Sequence, residues 1–181
     1  VTKAISNFLD SDEINALVIR DFKTCGLGGK LFRYENSDHF YKLVCATHLD
    51  NKSDNEVMGG SFGLGKTVFA KSSDIYSVIY HSTFKQTKDT DGDRRRLMMA
   101  GVYPMHKFEG KSYQGFGYFG EASTQESGEL EAIPFSNERA ENIWSEIASL
   151  SSEQPDLKRA ENDYGTDILI LGCNLNLYEI Q

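Results

Sequence analysis

Eight residues, Gly60 to Thr67 (GSFGLGKT), satisfy the spacing of a phosphate-binding P-loop. In such a loop backbone amides wrap the phosphates, the lysine reaches the terminal phosphates and the threonine holds magnesium. That chemistry needs a buried strand running straight into the first glycine. Here the preceding residues are NKSDNEVMG, which are too polar for one. The apolar run that ends in an acid, ALVIRD at 16–21, comes before the loop rather than after it. The context therefore reads against a P-loop and toward a flexible glycine loop. A P-loop-type nucleotide-binding protein using Gly60–Thr67 stays as an alternative.

Two other places carry chemistry by residue type. Asp21 closes the ALVIRD run and is followed by FKTCGLGGK, with Gly26, Gly28 and Gly29. Near the other end, YGTDILILG (164–172) places Gly165 and Thr166 at the entry of an apolar strand. Taken alone, a strand-end acid is commonly solvated and a threonine in a strand is routine. Cys25 reads as a small loop residue. His39, His48, His81 and His106 show neither metal-ligand spacing nor a nucleophile partner. Arg94, Arg95 and Arg96 stand beside Asp89, Asp91 and Asp93, which reads as a solvated, mutually neutralised loop.

The elements that position these residues follow from hydrophobic periodicity. Residues 2–9 have helical spacing, with Ile5, Phe8 and Leu9 on one side. Residues 16–21 read as a buried strand, and 38–48 as a helix with Phe40, Leu43, Val44 and Thr47 on one face and Ser37 as N-cap. A helix covers about 66–73, and IYSVIYHST (75–83) is rich in strand formers. Residues 85–96 read as a charged loop. LMMAGVY (97–103) and YQGFGYFGE (113–121) read as two strands joined by a turn at FEGK. Met98, Met99 and the aromatics of 113–119 are expected in the sheet core; an exposed face there would mark a partner surface. Residues 122–132 look polar and loose, and 137–150 form a helix with Ala140, Ile143, Trp144, Ile147 and Ala148 in register. Residues 166–172 are the last strand.

Composition bounds the rest. At 181 residues the chain fits one domain with a real core. A net charge of −8 argues against a broad nucleic-acid or anionic-membrane surface. Three widely spaced cysteines give neither a disulfide framework nor a zinc signature, so the reading is a reducing, cytoplasmic protein. No apolar run reaches the length of a membrane span. The chain opens on Val1, on residues that read as a helix already under way, so a fragment of a larger protein is expected.

The order of the three features carries a resemblance. An apolar strand ending in Asp21 precedes Gly26; GGSFGLGK (59–66) opens a helix; Gly165 and Thr166 enter a late strand. This order resembles the GHKL superfamily, whose Bergerat fold is shared by gyrase B subunits, mismatch-repair ATPases, histidine kinases and heat-shock-90-type chaperones. RDFKTCGL, GGSFGLGKTVFA and GTDILILG are similar to a bacterial branch of it. The resemblance spans residues 16–83 and 160–173. It implies that Asp21 accepts the adenine amino hydrogen bond and that Gly26 lets the base lie near the backbone. Gly60, Ser61, Gly63, Leu64, Gly65 and Lys66 would form the lid over the phosphates, and Thr166 would support the adenine through its hydroxyl and a water. ATP and Mg2+ are the implied cofactors, with ATP hydrolysis as the implied activity of a complete protein.

Two departures stand out. The family's Asp-x-Gly-x-Gly is here DFKTCGLGG, longer before its glycine. Its first motif, a helix with a water-activating glutamate and a magnesium-binding asparagine, has one counterpart, KAISNFLDS at 3–11. There Asn7 and Asp10 have the right mutual spacing, but Lys3 stands where the glutamate should be. The motif is therefore expected upstream of Val1, with Asn7 an exposed helix residue and only a weak metal candidate. The expected architecture is an α/β two-layer sandwich, a mixed and largely antiparallel sheet with helices on one face, over a single domain 1–181. Residues 85–155 would be a family-specific insertion before the last strand. The expected function is an ATP-binding switch module, partnered with other protein domains or with itself as a homodimer. A non-catalytic interaction domain with a degenerate Bergerat fold is the other alternative.

Overall fold

Two strand-forming runs of the chain become neighbouring inner strands of one sheet. A computed structural model describes residues 2–30, 39–45, 64–90, 92–113, 115–124, 128, 130–150 and 157–173. SVIYHST forms β2 (Ser77–Thr83), and GTDILIL forms β10 (Gly165–Leu171). Beside β10 lies β1 (Ala16–Arg20), and beside β2 lies β3 (Arg95–Val102). The sheet is completed by β6 (Phe116–Phe119) and the short β9 (Phe135–Ser136). The order is β1-β10-β2-β3-β6, with β9 also pairing with β3. Every one of these pairings is antiparallel.

Two hairpins stand outside this sheet. One joins β4 (His106–Phe108) to β5 (Lys111–Tyr113) through the FEGK turn. The other joins β7 (Glu121–Thr124) to β8 (Leu130–Ile133). Within the stretch expected to be loose, residues 122–124 and 130–132 are paired strands, and cross-strand pairing gives their polar backbone partners that composition does not reveal. Between the two hairpins, β6 pairs with β3, so the FEGK turn does not join the two strands expected to flank it.

The described residues form four α-helices: α1 (Thr2–Leu9), α2 (His39–Val44), α3 (Leu64–Lys71) and α4 (Asn137–Ser149). They do not share one face of the sheet. Side chains alternate along a strand, so neighbouring residues serve opposite faces. Val78, Tyr80, Met98 and Ile170 pack with Phe40 and Val44 of α2 and Ala70 of α3. Ile79, Leu97 and Leu169 pack with Ala140 and Trp144 of α4. The expected one-face arrangement is therefore corrected to helices on both faces. The cause is visible in β2, whose seven residues are all buried; a strand covered on both faces reads as a continuous apolar run rather than an alternation.

The described residues of 85–155 supply β3, β6 and β9 of the sheet and the α4 that packs on it. Arg96 is only 1% exposed, where a solvated loop was expected. Its guanidinium pairs with Asp93 at 3.1 Å, and Asp93 also accepts from Ser136 and Asn137. That network binds the start of β3 to the start of α4, and the burial follows from its being part of the sheet. The aromatics of 113–119 also depart from expectation. Tyr113, Phe116, Tyr118 and Phe119 are exposed, Phe119 at 56%, while Met98 is buried as expected. They sit on an edge strand and an outlying hairpin, where one flank has no sheet to cover it.

Candidate functional site

Three of the residues singled out by type meet at one end of the sheet. β1 and β10 pair with Arg20 opposite Asp167, so the chain leaves β1 at Asp21 beside Thr166. The Asp21 amide donates to the Thr166 carbonyl at 3.1 Å. In return the Thr166 amide donates to Asp21 Oδ1 at 2.5 Å, across 145 residues of sequence. Thr24 Oγ1 also donates to that oxygen at 3.2 Å. Both bonds go to Oδ1, and Oδ2 of this exposed carboxylate takes none from the described residues. An ionised carboxylate only accepts, so the open oxygen suits a ligand amine or amide donor.

Gly26 reaches the same place by a tight turn. Its amide donates to Thr24 Oγ1 at 3.2 Å, and its φ is +65°, a conformation glycine adopts without penalty. A Cβ there would stand 2.2 Å from the Thr83 carbonyl oxygen. The next amide, of Leu27, donates to Ser82 Oγ at 2.8 Å. Ser82 in turn donates to the Gly165 carbonyl at 3.0 Å and lies 3.3 Å from Thr166 Oγ1. Ser82 is thus the hub that joins the Gly26 turn to the Gly165–Thr166 strand entry. Sequence reasoning missed it, because a serine at the end of a strand has no signal until the register of β2 against β10 is known. Gly165 is required by packing, since a Cβ would meet Asp21 Oδ1 and the Asp21 carbonyl oxygen, each at 2.4 Å.

Behind this junction, on the α4 face, lies a buried ionic cluster that was also missed. Asp167 is 0% exposed. Its carboxylate accepts from Arg20 Nε at 2.7 Å, from Arg159 Nε and Nη2 at 2.8 and 2.7 Å, and from His81 Nδ1 at 3.0 Å. Burial pushes its pKa up, but the bonds from His81, Arg159 and Arg20 outweigh that and hold it down to about 2. For Arg159, burial works against the charge, and the hydrogen bonds and field of Asp167 more than offset it, so its pKa is raised. His81 stacks on Trp144 with ring centroids 4.8 Å apart, and its Nε2 has no partner among the described residues. Trp144 Nε1 donates to the Leu157 carbonyl at 2.9 Å, which satisfies the one polar group of a buried indole. Phe22 closes the cluster, with the Arg20 and Arg159 guanidiniums 5.0 and 4.9 Å from its ring centre.

The remaining candidates fall elsewhere. Gly60, Ser61 and Gly63 lie outside the described residues. Leu64, Gly65, Lys66 and Thr67 form the first turn of α3, which starts two residues earlier than the periodicity placed it. Lys3 and Asn7 are exposed on α1. Asn7 lines a cavity of about 240 Å³ with Ser11, Glu13, Asp74 and Cys173, at the end of the sheet opposite Asp21. Six residue steps along β10 lead from Thr166 to Gly172 at that cavity, roughly 20 Å of strand. Asn7 therefore does not serve the Asp21 junction, and the described residues hold no group of three metal-ligating side chains. Cys25 is exposed and unpaired with any other cysteine, and His39 is exposed at the start of α2. No helix among the described residues is long and apolar enough to cross a membrane.

Compared with known proteins, the chain matches no family model, no curated protein and no solved structure.

Proposed function

We propose that the Asp21–Gly26–Thr166 junction binds the adenine of an adenine nucleotide, and that the chain is an ATP-binding switch module of the GHKL type with a Bergerat-like core. The observation that carries the reading is the bond from the Thr166 amide to Asp21 Oδ1. It supports the reading because it joins residues that the resemblance pairs and that sequence separates widely. It also fixes one carboxylate oxygen and leaves the other for the adenine amino group. The Thr166 hydroxyl and Ser82 stand beside it as polar partners for a bridging water.

In this reading residues 60–66 wrap the phosphates, with backbone amides and the start of α3 facing the negative charge. The antiparallel sheet favours that role over a P-loop. β2, the strand that follows α3, runs antiparallel to both neighbours, whereas a P-loop sits in a parallel strand–loop–helix unit. Magnesium is a separate matter. Asn7 lies at the other end of the sheet, and no group of three metal-ligating side chains occurs among the described residues.

The test is calorimetric titration of ADP and ATP into the chain and into two variants. Asp21→Asn replaces an acceptor by an amide that can present its donor edge to the adenine amine, and it loses the charge. The expected loss is roughly 2–3 kcal/mol, about a hundredfold in affinity. Lys66→Ala should cost less, because backbone amides carry most of the phosphate contact. Unchanged affinity in Asp21→Asn, with matching melting curves, would overturn the adenine assignment. A large loss on Lys66→Ala alone would favour the P-loop alternative.

A further inference from the structure

Asp21 and Thr166 belong to different strands, and a recognition pair of this kind works only if its spacing is held. One side chain holds it from behind. Arg159 Nη2 donates to the Asp21 carbonyl at 2.6 Å and to the Thr166 carbonyl at 3.2 Å. The same nitrogen, with Nε, grips both carboxylate oxygens of Asp167. One planar cation therefore ties the last turn of β1, the first residues of β10 and the buried acid together. Arg159 is itself buried, and its Nη1 packs so closely on Gly165 that a Cβ there would stand 2.6 Å away. The acid it grips is in turn fixed by Arg20 and by His81, which is stacked on Trp144. The clamp is thus anchored in the α4 core while it acts on the opposite face.

We infer that Arg159 is a positioning residue of the nucleotide site: it sets the Asp21–Thr166 geometry that reads the base, without touching the ligand. This rests on the adenine reading above. The side-chain type is specific. A guanidinium offers a rigid planar fork that can serve two carbonyls and a bidentate carboxylate together, whereas an ammonium is a point charge on a flexible stem.

Removing the cation outright, as in Arg159→Met, leaves buried Asp167 short of a partner and risks unfolding. Arg159→Lys keeps the charge and is the variant to use, with Arg159→Gln, which keeps two donors, as a second. The first measurement needs no ligand. In a proton–nitrogen correlation spectrum the Thr166 amide, bonded to a carboxylate, should resonate well downfield, and it should move upfield in Arg159→Lys. The second is ADP calorimetry on the wild type, Arg159→Lys, Asp21→Asn and the double variant. Arg159→Lys should weaken ADP tenfold or more, and the double variant should bind no worse than Asp21→Asn. A merely structural role would make the two losses add. An unmoved Thr166 amide in both Arg159 variants, or additive losses, would overturn the inference. Absence of ADP binding by the wild type would instead overturn the nucleotide reading, and with it any role of Arg159 in such a site, whatever the amide shows.

Discussion

Replacing Asp167 by asparagine tests the buried cluster most directly. Four hydrogen bonds from two arginines and a histidine converge on this carboxylate, which has no contact with solvent. Burial raises its pKa and the bonds outweigh burial, leaving it at about 2. Against about 3.9 in an unfolded chain, that difference is worth roughly 2–3 kcal/mol of folding stability. Because the folded pKa is the lower one, the contribution is complete above about pH 4 and is lost as the pH falls through about 2. The substitution at neutral pH costs more than this, since it leaves the buried Arg159 with only its longer pair to Asp163, at 3.8 Å; removing one partner of a buried pair costs about 3–5 kcal/mol. Trp144 is the only tryptophan in the chain and stacks on His81, so its fluorescence reports the region. Urea unfolding followed by that signal should place Asp167→Asn about 3–5 kcal/mol below wild type at pH 7. The gap should narrow by roughly 2 kcal/mol as the pH is lowered from 4 toward 2. A gap below about 1 kcal/mol at pH 7, or one that stays constant down to pH 2, would refute the assignment of a buried, ionised hub.

Two further outcomes are expected. Gly26→Ala forces a side chain into a left-handed turn and against the Thr83 carbonyl, so it should lower stability by about 1–3 kcal/mol; a melting curve equal to wild type would mean that the turn is not built as described. On the proposed reading the chain alone should release no phosphate at saturating ATP and magnesium, because Lys3 and Asn7, which the GHKL resemblance would set in the places of a base and a metal ligand, lie on α1, and Asn7 lines the cavity at the far end of β10 from Asp21. Steady phosphate release would place a catalytic base elsewhere than on α1 and refute this reasoning.

The sequence revealed the elements better than their arrangement. The ALVIRD and TDILILG runs supplied β1 and β10, and the amphipathic spacing around Trp144 became α4, but β1, expected to be buried, lies at the end of the strand order with none of its residues buried. What it left out was which face each helix covers, although IYSVIYHST and TDILILG held the clue. Neither run alternates, and a strand without alternation needs cover on both sides. The exposed aromatics of β6 show the converse limit. Strand propensity marks Phe116 to Phe119 as sheet, but only the strand order shows that they lie at the edge. Asp21, Gly26 and Thr166, singled out by the order in which they occur, are brought together at one end of the sheet. Ser82, His81 and Arg159 were not legible in the sequence, because each owes its role to a partner many residues away. His81 meets Asp167 across 86 residues, and Arg159 reaches back 138 residues to Asp21. Such pairings depend on strand register, which spacing along one segment does not encode.

The two halves of the site are consecutive residues of one strand, and this sets how they act together. Thr166 turns to the face of α2 and α3, where it meets Ser82; Asp167 turns to the face of α4, where it meets His81 and the arginines. Recognition of an adenine amine by the open oxygen of Asp21 would add a hydrogen bond without breaking the one from the Thr166 amide, which uses the other oxygen. The acceptor is therefore already oriented before a ligand arrives, and little ordering entropy remains to oppose binding. The ordering is built into the fold through the charges behind it. It follows that a substitution on α4 that loosens His81 or Trp144 should weaken the ligand face with no contact to the ligand. One on the Gly26 turn should weaken binding while leaving the acid stability of the Asp167 cluster intact.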